Sequence, residues 1–399
     1  MSSQSERATQ ENVSVDATMI QPPSKATSSS RLFFADHLRV ALTILLVLHH
    51  LAVMYGANAP FYYVEPPSSK DPLAFLLLLV FVLVNQAYFM GFFFLIAGYF
   101  TPGSFDRKGP AAFLKDRLLR LGIPLVVFLL VLNPIASIGI YQMPAAWTGI
   151  TTPFTWQQYP RLIGVGPLWF VEMLLIFDLG YAAWRWLTRN QALPAQREAR
   201  SPSYLAVGVF VLALALASYL LRIVVPLGAY TPILGFPTPA YLPQYLSFFL
   251  LGVIAFRRDW LRTIPGSMGK VGFGVALLAT ILLLPLALSG KTAFLGNGHW
   301  QSAVYVLWDS TFSVGMCLGL ITFFRRFFNH QTRLGRFLSR HAFTVYIIHA
   351  PVIVLLALAL RGIHPEQLLK FSLAALVGVP LCFVVAFLAR KIPFASRIL

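Results

Sequence analysis

An arginine and a histidine eleven residues apart open the first apolar span of the chain: Asp36-His37-Leu38-Arg39-Val40-Ala41-Leu42-Thr43-Ile44-Leu45-Leu46-Val47-Leu48-His49-His50. At 3.6 residues per turn this spacing returns Arg39 and His50 to nearly the same helical face, about 16 Å apart along the axis. Arg39 then lies at one membrane edge, with His50 about half way through or slightly beyond. Ionisable groups at that depth are costly and face a cavity or a partner. A neutral imidazole takes a proton from a hydroxyl near neutral pH, so His50 is the leading candidate for a general base. His49 lies roughly 80–100° around the helix from it. One of the two therefore faces the cavity, and the spacing to Arg39 favours His50. The competing reading lets both histidines end the span among headgroups, but Leu51-Ala52-Val53-Met54 continues the apolar run.

Three further groupings carry chemistry. Arg117-Leu118-Leu119-Arg120 precedes Leu121-Gly122-Ile123-Pro124. Arginines at i and i+3 share a helical face and can clamp phosphate oxygens in bidentate fashion. An acyl-CoA carries several phosphates, so these residues suit its binding; ordinary topology-setting arginines are the alternative. Gly166-Pro167-Leu168-Trp169-Phe170-Val171-Glu172 opens the fourth span, with Arg222 at a comparable depth in the fifth. Glu172 is either the ion-pair partner of Arg222 or a catalytic carboxylate. Asp178 or Asp309 could orient the His50 imidazole as the carboxylate of a triad does, and the residues do not choose between them. Tyr346 and His349 share a face in the ninth span, where His349 is a second candidate base or a packing histidine.

The outward connections are dense in aromatics, including Phe61, Tyr62, Tyr63, Trp147, Trp156, Tyr159, Tyr230, Tyr241, Tyr245 and Trp300. An interfacial belt explains most of them; stacking on a sugar or another flat-faced acceptor is the other use.

The elements that must position these groups are membrane helices. Hydrophobic residues make up 57% of the chain and charged ones 11%, and mean hydropathy is +0.71, which excludes a soluble domain of this length. Ten apolar spans are expected at roughly 40–56, 73–100, 121–140, 166–187, 204–225, 240–256, 271–290, 300–324, 341–361 and 370–389. The chain is thus an all-α, polytopic integral membrane protein. Its net charge of +17 is concentrated on alternate connections. Arg107, Lys108, Lys115, Arg117 and Arg120 lie between spans two and three, and Arg185, Arg189, Arg197 and Arg200 between four and five. Arg257, Arg258, Arg262 and Lys270 lie between six and seven, and Arg325, Arg326, Arg333, Arg336 and Arg340 between eight and nine. Arg390, Lys391 and Arg397 close the chain, and Arg7, Lys25, Arg31 and Arg39 precede or enter span one. The other side and the spans hold only Lys70, Arg161, Arg222, Lys291, Arg361 and Lys370. This positive-inside bias places both termini in the cytoplasm and makes the charge a topology signal, with no nucleic-acid partner.

Residues 1–30 are rich in Ser, Thr, Gln and Pro and read as a disordered cytoplasmic tail ahead of a membrane domain at 31–399. The first span then serves as an uncleaved anchor. Cys317 and Cys382 fall in apolar spans, which suggests neither a disulfide framework nor a metal site.

Together these pieces resemble the acyltransferase-3 family of membrane O-acyltransferases, including its glucan succinyltransferase-like branch. Arg39 and His50 match an Arg-x10-His arrangement entering the first span, and Arg117 and Arg120 match an Arg-x-x-Arg motif at span three. Similar supporting stretches are Asn85-Gln86-Ala87-Tyr88-Phe89-Met90-Gly91-Phe92-Phe93-Phe94-Leu95-Ile96-Ala97-Gly98-Tyr99-Phe100, Leu168-Trp169-Phe170 and Thr344-Val345-Tyr346-Ile347-Ile348-His349. The likeness runs from about 31 to 390. It implies a multi-pass protein of the inner or plasma membrane that uses an acyl donor such as acetyl-CoA or succinyl-CoA, reached from the cytoplasm. It also implies a hydroxylated acceptor, typically a carbohydrate, with His50 as general base and Arg117 and Arg120 holding the donor. Arg39 pairs with Asp36 or meets the cytoplasmic part of the donor. Family members with a fused extracytoplasmic hydrolase-like domain differ from this chain. Two other classes suit ten spans with buried His, Glu and Asp: a proton-coupled transporter of a glycan or lipid-linked solute, and a non-catalytic subunit organising envelope synthesis.

Overall fold

The computed structural model describes residues 32–56, 59–65, 71–189, 200–230 and 236–398. The tail at 1–30 and the basic residues Arg7, Lys25, Arg31, Lys70 and Arg197 lie outside them. Among the described residues ten helices are long and apolar enough to cross a membrane. They are α1 (Phe33–Tyr55), α2 (Pro72–Lys108), α3 (Pro110–Gln142), α4 (Trp169–Leu187), α5 (Tyr204–Val224), α6 (Leu242–Arg257), α7 (Gly266–Leu288), α8 (Trp300–Phe327), α9 (Arg333–Ala359) and α10 (Gln367–Ala389).

Several helices run past the apolar stretches that announce them. The first begins at Phe33, seven residues before the expected span, with Asp36 in its first turn where an anion favours the helix dipole. The second is started by Asp71, whose side chain accepts from the Ala74 N–H (3.0 Å), with Pro72 in the first turn. Gly109, at a φ of +76°, ends α2 and Pro110 starts α3. Within α3, π turns at Leu118–Gly122 and Phe128–Leu132 each precede a proline, Pro124 and Pro134. A proline has no N–H to return to the carbonyl four residues back, and a wider turn accommodates that loss.

Helices α1, α8 and α9 are the most enclosed, and α5, α7 and α10 lie at the periphery. Helix α1 packs against α2, α8, α9 and α10. The outer face of α5 leaves Leu205, Val209, Leu212 and Leu216 exposed, as lipid contact requires. Helix α2 meets α6 backbone to backbone at Gly98 and Gly252, where a Cβ on either would strike the other helix's main chain. Gly272 and Gly315 do the same for α7 and α8. Such small-residue crossings are how helices pack closely in lipid, where apolar burial gives little drive to associate.

One end of the bundle gathers the basic connections. Asp106, at the end of α2, accepts from Arg257 (2.6 and 3.2 Å) at the end of α6 and Arg185 (3.3 Å) near the end of α4. His37, near the start of α1, contacts the His330 carbonyl (2.9 Å) between α8 and α9. At the other end Lys370 of α10 pairs with Glu65 (2.7 and 2.8 Å), after α1, and Gln367 donates to the Tyr55 carbonyl.

Candidate active site

The crossing of α1 and α9 brings two of the expected residues together. His50 Nδ1 lies 3.2 Å from His349 Nε2, with ring centroids 4.9 Å apart. The remaining partners fix both tautomers. His349 Nδ1 is 2.7 Å from the Tyr346 carbonyl, and His50 Nδ1 is 3.1 Å from the Leu46 carbonyl. A carbonyl only accepts, so each Nδ1 carries the proton. His349 Nε2 then offers its lone pair to the His50 N–H, and His50 Nε2 keeps a free lone pair. That is the protonation state a neutral base needs.

The His50 ring sits five residues before the end of α1, nearer the face opposite the basic end than the mid-depth its apolar run suggests. The connection after α1 folds back over it. Phe61 stacks on the His50 ring at 4.7 Å and 25°. Tyr62 donates to Asn133 Oδ1, and Asn133 Nδ2 donates to the Leu162 carbonyl (2.6 Å). Tyr63 donates to Glu65 (3.1 Å); burial, reinforced by Glu65, pushes its phenol up to about 12, so it stays a donor. On the other side of the site, the Tyr346 hydroxyl donates to the Pro167 carbonyl just ahead of α4. An aromatic from the connection between α1 and α2 thus covers the imidazole.

Among the described residues no carboxylate contacts His50, and neither Asp178 nor Asp309, either of which could have oriented it, does so. Asp178 is ion-paired with Arg117 (2.9 Å) and accepts from Thr101 (2.8 Å). Asp309 binds Arg222 (2.7 Å). Of the two readings of Glu172, the pair with Arg222 is not formed: Arg222 is buried to 1% exposure, and its partner is the buried Asp309. A buried cation needs a counter-charge that water does not screen, and half-buried Glu172 does not supply it. Glu172 makes no ion pair or hydrogen bond with a described residue.

The two arginines of α3 do not share a face. Arg117 turns inward to Asp178, while Arg120 turns to Asp116 (3.1 Å) and is 58% exposed at its side chain. The π turn at Leu118–Gly122 accounts for the divergence, since i and i+3 stack only at α-helical pitch. The nearest approach of Asp178 is to Nε of Arg117. Arg39 lies 3.5 Å from Asp36 and over the Phe100 ring at 4.3 Å.

Sequence reasoning passed over Asn133, Thr101 and the Glu65–Lys370 pair. Asn133 carried a signal, a carboxamide beside a proline inside an apolar span; Thr101 carried none. Among the described residues no group of three or more His, Cys, Asp or Glu could hold a metal ion, and Cys317 and Cys382 are buried free thiols.

Comparison with known proteins bears on this arrangement. Residues 32–390 match the family described as an acyltransferase domain, Acyl_transf_3. The chain belongs to the acyltransferase-3 family. Similar proteins within reach of this family member carry the name Glucans biosynthesis protein C. One from Escherichia coli O157:H7 (strain EC4115 / EHEC) is 24% identical over 340 residues, covering 81% of this chain and 82% of the relative. That of Escherichia coli (strain K12) is 23% identical over the same length and shares. One from Salmonella paratyphi A is 24% identical over 337 residues, again 81% and 82% of the two chains. No solved structure matches. A multi-pass membrane acyltransferase is what the family and the ten helices establish together.

Proposed function

We propose that this acyltransferase moves an acyl group from a cytoplasmic acyl-CoA, acetyl or succinyl, to a hydroxyl of a glucan or related carbohydrate, with His50 as general base. The observation that carries this reading is the free Nε2 lone pair of His50, set by the His349 and Leu46 partners of Nδ1. The name shared by the relatives supports a glucan as acceptor.

In the proposed reaction the acceptor hydroxyl gives its proton to His50 Nε2 while its oxygen attacks the thioester carbonyl. Collapse of the tetrahedral intermediate releases the thiolate, which takes the proton back from Nε2. Holding donor and acceptor at one site supplies the proximity. Arg120 and the terminal nitrogens of Arg117 supply charge for the donor phosphates at the basic end, and Arg39 lies at the same end of α1. Positive-inside bias supports placing that end in the cytoplasm. Glu172, half-buried and without a partner among the described residues, is available to hydrogen-bond an acceptor hydroxyl.

The test is transfer of label from acyl-CoA to a glucan by the purified protein in lipid. Wild type is expected to label the acceptor and His50→Ala to lose about 10²–10⁴ in turnover. Full activity in His50→Ala would remove the base from this account.

A further inference from the structure

A second pair of buried side chains, His49 of α1 and Asn85 of α2, each keeps one nitrogen without a hydrogen-bond partner among the described residues. Leu78, Val82, Asn85 and Phe89 form one stripe of α2. Leu78 and Val82 pack with Ala52 and Val53 of α1, and Phe89 stacks on His49 at 5.0 Å. Asn85 lies on the same stripe between those contacts, facing the stretch of α1 that carries His49. It is 4% exposed, and its Nδ2 has no partner among the described residues. His49 is 7% exposed, and its Nδ1 is likewise unpartnered. Its ring stands edge-on to that of His50, with centroids 5.5 Å apart.

A carboxamide N–H left unbonded in a membrane interior is a standing loss of stability. Groups kept that way are commonly aimed at something that arrives later. The neighbours of Asn85 on its stripe of α2, Val82 and Phe89, are apolar and packed against α1, so an N–H donor there acts in a low dielectric and its interaction with a developing charge is strong. The only such charge near a base of this kind appears on the carbonyl oxygen under attack.

We propose that the Asn85 carboxamide, with the His49 ring beside it, holds the acyl carbonyl oxygen as that oxygen becomes negative during transfer. This rests on the acyl-transfer reading above. As the acceptor oxygen forms its bond to the carbonyl carbon, the π pair moves onto the carbonyl oxygen, and the hydroxyl proton passes to His50 Nε2. Asn85 Nδ2–H donates to that oxygen until the C=O bond re-forms and the carbon–sulfur bond breaks. The leaving thiolate then recovers the proton from His50.

The deciding variant is Asn85→Leu, close in size and free of the unbonded amide. It is expected to melt at or above the wild-type temperature while turnover falls about 10²–10³-fold with the donor KM unchanged. A purely structural asparagine would instead show a lowered melting temperature and preserved turnover per folded molecule. If Asn85→Leu does not fold, Asn85→Ala removes both N–H donors and introduces no new donor, and is expected to be at least as slow. Wild-type turnover in either folded variant overturns the proposal and leaves the amide hydrated or idle. His50→Ala in the same assay separates the two inferences. A fully active His50→Ala, or a wild type that transfers nothing, sinks the acyl-transfer reading itself. An inactive His50→Ala beside an active Asn85→Leu sinks the carbonyl-binding role alone.

Discussion

His349 presents Nε2 to Nδ1 of His50 at 3.2 Å, and its own Nδ1 is tied to the Tyr346 carbonyl one turn earlier on the same helix. The partner of the proposed base is therefore a second imidazole locked as an acceptor. In the proposed reaction His349 would act through His50, and replacing it tests that dependence. His349→Phe keeps the ring volume but leaves the His50 tautomer to Leu46 alone, so turnover is expected to fall about tenfold, the worth of one hydrogen bond. His349→Gln can restore an acceptor and is expected to recover part of the loss. Steady-state kinetics on both variants checks this; equal activity in His349→Phe and wild type would remove the positioning role.

The two arginines of α3 are expected to separate by stability. Arg117→Ala strands the buried Asp178 carboxylate and costs about 3–5 kcal/mol. Arg120→Ala removes a half-exposed pair and costs less than about 1 kcal/mol. Thermal unfolding beside donor KM distinguishes structure from binding. A raised KM in stable Arg120→Ala supports a direct donor contact, and an unchanged KM rejects it.

Arg222 and Asp309 form a buried pair at 2.7 Å. Arg222→Met alone is expected to destabilise by about 3–5 kcal/mol, and Arg222→Met/Asp309→Leu to recover most of that loss. Unfolding of the single and double variants checks the coupling. A double variant as unstable as the single one would mean that each charge has another partner.

Phe61 covers the His50 ring, so Phe61→Ala should admit water to the base. The expected outcome is faster thiol release from the donor without acceptor, with acceptor labelling reduced. Donor hydrolysis equal to wild type would show that the aromatic cover does not exclude water.

Topology is open to a chemical label. In a Cys317→Ala/Cys382→Ala background, a cysteine at Arg262 should react only from the cytoplasm and one at Lys291 only from outside. The reverse pattern would invert the orientation.

The membrane architecture was legible because lipid enforces it: runs of apolar residues and alternation of arginine-rich connections leave few alternatives. Helix ends were not, since Phe33–Val40 and Thr101–Lys108 continue α1 and α2 through polar sequence. His50 and its spacing to Arg39 stood out because an imidazole in an apolar run is conspicuous. Its neighbour was visible only as a second histidine about 300 residues later, and no periodicity says which of several buried groups it meets. The same holds for the charges: Arg222, Asp309, Arg117 and Asp178 were all identifiable as needing partners, but pairing is set by helix order around the bundle. The divergence of Arg117 and Arg120 escaped an α-helical reading because Pro124 changes the pitch locally.

The run of ring nitrogens that begins at His50 Nε2 ends on two peptide carbonyls, those of Leu46 and Tyr346. A peptide carbonyl accepts a hydrogen bond but does not carry a proton onward. Among the described contacts a proton collected at Nε2 finds no onward relay through His349, so in the proposed reaction it would leave on the thiol product. Such a site would exchange an acyl group for a proton without net movement of charge. A proton-driven carrier would instead need a relay that continues past these two carbonyls.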